Sequence, residues 1–165
     1  KNIIPGYYTQ HMYAQKNKSL LRYLFPNSIT KAAWEAYVVS MIIGEGYGNW
    51  EDEYHIFKLR DEILTTAIAI AEIEYYSGSI SRDDAKLYIK SMGFVDDIVS
   101  EKIIEVVDLE YFAGTKKFIG MMEINSIYDE YKANKGDNFS LSDFHDLILQ
   151  DGIIPIYELK KRIIN

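Results

Sequence analysis

The stretch Trp50–Tyr76, WEDEYHIFKLRDEILTTAIAIAEIEYY, decides the fold of this chain. Ile56, Leu59, Ile63, Ala67, Ile70 and Ile73 recur every three or four residues, which is the spacing of one helix face and not of a strand. That spacing predicts a single long helix with those residues turned toward the core. Gly78 follows where a C-terminal cap belongs.

Working outward, the punctuation on both sides is helical. Gly44-Glu45-Gly46-Tyr47-Gly48 resembles a nucleotide loop at first sight. Such a loop needs a strand before it and a helix N-terminus directly after. Here a helix from about Ile29 precedes it, so the glycines are read as that helix's stop. Pro26-Asn27-Ser28 breaks the chain upstream, and Pro5 suits the first turn of a helix running to about Leu24. Downstream, Ser81-Arg82-Asp83-Asp84 predicts a capping box, with the serine side chain meeting the Asp84 N–H. It opens a short helix ending at Gly93. Val95 to about Tyr111 forms the next, with Ile98, Ile103, Val106 and Val107 on its apolar side. Gly114 to Asn134 follows, stopped by Gly136; Ser140-Leu141-Ser142-Asp143 opens another that ends at Gly152, and Pro155 begins the last. No stretch alternates with a two-residue period. The expectation is an all-α chain of about eight helices in one compact domain over residues 1–165.

Composition excludes several function classes. The chain has 165 residues, 48% hydrophobic and 26% charged, enough for a sizeable core. Nothing approaches the ~18 uninterrupted apolar residues of a membrane helix. Zero cysteines and three histidines remove thiolate chemistry and leave little room for imidazole catalysis. A net charge of −7 argues against nucleic acid as a partner. The charge is uneven: residues 1–34 carry five cations and no anions, and the remaining 13 cations and 25 anions give −12. The basic first segment is read either as a docking face for the acidic remainder, or for an N-terminal half of the protein, or as a solvated helix face.

Candidate chemistry is sparse. Glu51 and His55 stand four apart on one helix face, as a two-point metal clip requires. Acids at a helix start also simply complement the dipole, and that account is preferred. His145, in Asp143-Phe144-His145-Asp146, has two carboxylates nearby but no nucleophile, and is read as structural. His11 is read as a helix-surface residue. Fourteen tyrosines are an excess, suited to core packing or to a binding surface.

The first ten residues, Lys1-Asn2-Ile3-Ile4-Pro5-Gly6-Tyr7-Tyr8-Thr9-Gln10, keep the frame of a longer pattern. They resemble H-E-x-x-P-G-H-H-x-Q of the bacterial family filed as domain of unknown function 885, a group of predicted zinc metallopeptidases. Pro5, Gly6 and Gln10 match. Lys1, Asn2, Tyr7 and Tyr8 stand at the histidines and the glutamate. Ala32-Ala33-Trp34-Glu35-Ala36-Tyr37 is similar to the family's E-G-W-A-x-Y, with Ala32 at its third ligand. Glu72 to Ser81 follows D-x-G-x-H-x-x-G-x-[ST] loosely, with Tyr76 at the histidine. Tyr111 to Gly120 is similar to P-G-Q-A-x-x-Y-x-x-G, with Gly120 kept and Lys117 at the tyrosine. Gly136 to Asp146, then Gly152 and Pro155, match best.

The resemblance implies a zincin-like helical domain, the C-terminal part of a longer protein, that carries the frame without the metal ligands. Residues 1–34 contain a lone imidazole, His11, and no Asp, Glu or Cys, a poor set for zinc. The implied function is a non-catalytic peptide- or ligand-binding or structural module with no metal or other cofactor. Tyr7, Tyr8, Trp34, Tyr37, Tyr76 and Lys117 are its possible groove lining, and a peptide or glycan its possible ligand. Its partner would be the protein's own N-terminal region or an active relative. The alternative is a working metallopeptidase whose ligands come from a segment before Lys1 or from a partner chain.

Overall fold

The structure is a computed structural model describing residues 4–17 and 19–164. Among the described residues it is all-α: α1 Tyr7–Lys16, α2 Leu20–Leu24, α3 Ser28–Gly44, α4 Asp52–Tyr76, α5 Arg82–Met92, α6 Asp97–Leu109, α7 Ala113–Lys135, α8 Leu141–Leu149 and α9 Ile156–Ile164, with a 3-10 turn at Gly136–Asn138. The chain packs as two compact units, residues 1–39 with 119–165, and residues 40–118.

Helix ends follow local chemistry. The Ser81 hydroxyl accepts from Asp84 N at 3.1 Å, and the Asp84 carboxylate accepts from Ser81 N at 3.3 Å, closing the expected box. Ser140 accepts from Asp143 N at 3.2 Å. Gly46 sits at φ +91°, with Tyr47 N donating to Ile42 O and Gly46 N to Ile43 O. That paired pattern ends a helix on a left-handed residue. The glycine run is therefore a helix stop, and Gly78 closes α4 in the same way, at φ +78°.

The expected first helix is broken in two. Asn17 turns its side-chain oxygen to the Ser19 N–H at 2.9 Å and adopts extended backbone. A short polar side chain that bonds its own backbone competes with helix continuation.

In the first unit Trp34, Val38, Ile124, Ile127, Phe144, Ile148 and Leu159 are buried. Gly120 brings α7 against α3: a Cβ there would lie 2.8 Å from Ile29 O and 2.9 Å from Ala33 Cα. Part of the basic first segment docks on acidic residues of this unit, as Arg22 pairs with Asp151 at 3.0 Å.

The second unit is built from α4, α5 and α6, whose core is Ala71, Ala85, Ile89, Ile104 and Val107. Here the expected inward face of α4 is overturned. Ile56, Leu59 and Ile73 are 62%, 55% and 53% exposed, and Ile63 and Ile70 also face outward. The buried side is Thr65, Ala67, Ala69, Ala71 and Glu72, so only Ala67 of the expected six lies inside. Small side chains let the neighbouring helices approach closely; Leu64 and Ile68 pack against that core, and the remaining large aliphatic residues named above face outward. On α6 the expected side holds in part: Val107 is buried and Ile103 packs against the core, whereas Ile98 and Val106 are exposed and Ile104 is buried in their stead.

Candidate functional site

Two places collect the residues singled out in the sequence, one in each unit. In the first unit, the Trp34 indole N–H is shared by the carbonyls of Pro5 and Gly6, at 3.0 and 3.2 Å. Gln10 donates from Nε2 to Thr30 O at 3.3 Å. The matched pattern positions Pro5, Gly6 and Trp34 are thus joined to one another, and Gln10 ties α1 to α3. Trp34 and Tyr37 are buried. The Tyr37 hydroxyl lies 2.9 Å from His145 Nε2, and the His145 ring meets the Trp34 ring edge-on at 5.6 Å. His145 is therefore a half-buried histidine within an aromatic cluster.

Tyr7 is half-buried, with the Lys31 ammonium 4.3 Å from its ring centroid. This cation–π contact occupies the neighbourhood where the resemblance implies zinc ligands. Ala32 offers no donor, and Lys1 and Asn2 lie outside the described residues. Among the described residues, no three His, Cys, Asp or Glu side chains gather where they could hold an ion. An ammonium beside a phenol and an alanine does not fit a zinc dication. Tyr8 is exposed.

In the second unit the central group is Glu72, a fully buried carboxylate on α4. Its Oε1 accepts from Gly114 N at 2.9 Å; its Oε2 accepts from Thr115 N at 2.7 Å and from the Thr115 hydroxyl at 2.8 Å. The carboxylate thereby caps the start of α7, where free N–H groups and the helix dipole favour a negative charge. Lys117, one turn on, donates to Asp61 at 3.0 Å and to the Thr65 hydroxyl at 2.7 Å. Beside them opens a largely apolar cavity of about 400 Å³. Ile68, Val99, Ile103 and Val106 line it, with Glu72, Lys102 and Lys117 among its polar members.

Tyr76 packs against Tyr75, Tyr111 and Phe112 and donates its hydroxyl to Val107 O. Burial, and then the Glu72 charge, raise its pKa above the ordinary phenol value, which keeps it a donor. In the register that keeps Gly120, the family pattern's glycine falls on Phe112, whose φ is +59°. A left-handed backbone is uncommon for a non-glycine residue, and it is what a glycine at that position would supply. Sequence reasoning did not single out Glu72 or Thr115. The available signal was an acid flanked by Ala71 and Ile73 in the most apolar part of α4.

The profile of the bacterial proteins of unknown function designated domain of unknown function 885 matches residues 2–163. The chain belongs to that family. A solved structure from Shewanella oneidensis, assigned as a lipoprotein of unknown function, is similar at 26% identity and a TM-score of 0.89. The match covers 98% of this chain and 30% of that one. A second such lipoprotein structure, from Colwellia psychrerythraea, shares the fold at 21% identity and a TM-score of 0.84 over 98% of this chain and 28% of that one. The chain therefore spans less than a third of the length of these structures. No curated protein sequence matches it.

Proposed function

We propose that this chain is a non-catalytic member of its family, a binding or structural module built on a metallopeptidase-like frame. The observation that carries the reading is the Lys31 ammonium 4.3 Å from the Tyr7 ring, where the pattern calls for a histidine ligand. A fixed cation at that place opposes a dication and stabilises an aromatic ring instead. Tyr76 and Lys117, at two further pattern positions, are engaged with Val107 O and with Asp61 and Thr65. Of the six proposed lining residues, Trp34 and Tyr37 are buried. Ligand contact then falls to Tyr7 and Tyr8 in the first unit, and to Tyr76 and Lys117 in the second, where the apolar cavity lies beside Lys117. A peptide with an apolar side chain is the ligand class these surfaces suit.

The test is metal content with thermal melts. Purified protein is expected to hold no stoichiometric zinc, and its Tm is expected to be the same with EDTA, with added zinc and with neither. A tight structural or catalytic site adds several kcal/mol to folding. One equivalent of zinc, lost on chelation together with several degrees of Tm, overturns the reading.

A further inference from the structure

The outward side of α4 carries an apolar stripe that the second unit itself leaves uncovered. Ile56, Leu59, Ile63, Thr66, Ile70 and Ile73 follow one another at steps of three, four, three, four and three residues. That alternation of three and four, a mean spacing of 3.4 over these five steps, is the pattern of a seam into which a second helix sets its side chains. The one polar member, Thr66, turns its hydroxyl back to Glu62 O at 2.8 Å, so it makes no polar demand on a partner. Beside the seam, Leu59, Ile63 and Ile70 share an open groove of about 260 Å³ with Tyr88 and Met92 of α5. Of the charges beside it, Lys58 pairs with Glu62 and Arg60 donates to Phe94 O within the same unit. What the face offers is apolar surface in helical register.

Away from the stripe, α4 is buried through Thr65, Ala69, Ala71 and Glu72. An exposed aliphatic patch of this kind marks an interaction surface. The two similar structures offer a source for such a partner. Each contains this fold in under a third of its chain, leaving more than two-thirds of the polypeptide to pack elsewhere. We infer that the Ile56–Ile73 seam of α4 is the docking surface for a helix from the part of the family polypeptide that lies outside the region matched here. The inference stands whether or not the chain binds metal or peptide, because it uses none of those residues.

Two measurements test it. In the Shewanella oneidensis structure, the helix that superposes on α4 should have its outward side covered by residues from outside the matched region; solvent on that side overturns the inference. In solution, the outside portion of that relative, produced as a separate chain, should bind this chain saturably. Leu59→Glu, Ile63→Glu and Ile70→Glu together should weaken binding by about 100-fold. The triple variant's Tm should stay within a few degrees of the parent, since the face is not core. Binding that survives the three substitutions overturns the inference. So does a homodimer of this chain, detected by light scattering and dissolved by Ile63→Glu, which would assign the face to a second copy.

Discussion

At the scale of the residue, Glu72 is the most consequential side chain in the second unit. A buried carboxylate is costly unless its oxygens are satisfied, and here three donors from Gly114 and Thr115 satisfy them. Glutamine at 72 keeps the shape but presents an amide N–H₂ to at least one of those donors. Hydrogen bonds to a buried charge are worth about 1.5–3 kcal/mol each, and the loss leaves donors unpaired. Glu72→Gln is expected to destabilise by roughly 2–4 kcal/mol in urea melts. A cost below about 1 kcal/mol, the range of ordinary surface changes, would show that the clamp is not needed. Glu72 thus has a structural duty in this unit.

At the scale of the element, α4 inverts the usual order of mutational costs. Ala69 is buried and Ile73 is exposed. Enlarging a small residue at a close helix contact forces displacement worth about 1–3 kcal/mol, whereas trimming an exposed isoleucine costs about 0.5 kcal/mol or less. Ala69→Leu should therefore lower stability more than Ile73→Ala in side-by-side denaturant melts of this chain. The reverse order would restore the aliphatic side to the core. The neighbouring α5 and α6 carry an acid-sensitive edge. Hydrogen bonds from Lys86 and Arg82 hold the Glu101 carboxyl below its usual value, Lys90 does the same for Asp97, and Ser81 for Asp84. Carboxyls depressed in the folded state contribute stability above their unfolded values, near pH 4. That contribution is lost as pH falls through the lower folded values. Tm should accordingly drop on acidification below about pH 4, and Glu101→Gln should make that drop shallower while lowering Tm at neutral pH. An unchanged acid slope in the variant would show that these pairs are too exposed to matter.

At the scale of the whole molecule, the proposal that the frame persists without metal ligands is open to a direct test. Pro5, Gly6 and Trp34 are bonded to one another, and Phe112 holds a left-handed backbone at a glycine position. If that frame is the family's, restoring the side chains should restore affinity. Lys1→His, Asn2→Glu, Tyr7→His and Ala32→Glu in one protein are expected to create zinc binding measurable by calorimetry, accompanied by a rise in Tm. Lys31→Ala added to the four should strengthen it by removing the nearby cation. A folded variant that ignores zinc would refute the residue correspondence.

The sequence by itself determined most helix ends, the break at Asn17 excepted, because caps are chemistry between residues three to five apart. Ser81, Ser140, Gly46 and Gly78 each act through backbone groups in their own turn. It also determined the family frame, as a pattern of small and ring residues at set spacings. Tertiary structure alone decided which side of α4 faces inward, since periodicity locates a stripe and only the distance to α5 and α6 selects between alanines and isoleucines. It alone paired Glu72 with donors 42 and 43 residues away. It alone set a cation over Tyr7, because α3 brings Lys31 to α1. Each of these depends on partners far along the chain, whose approach is fixed by packing and carries no local signature.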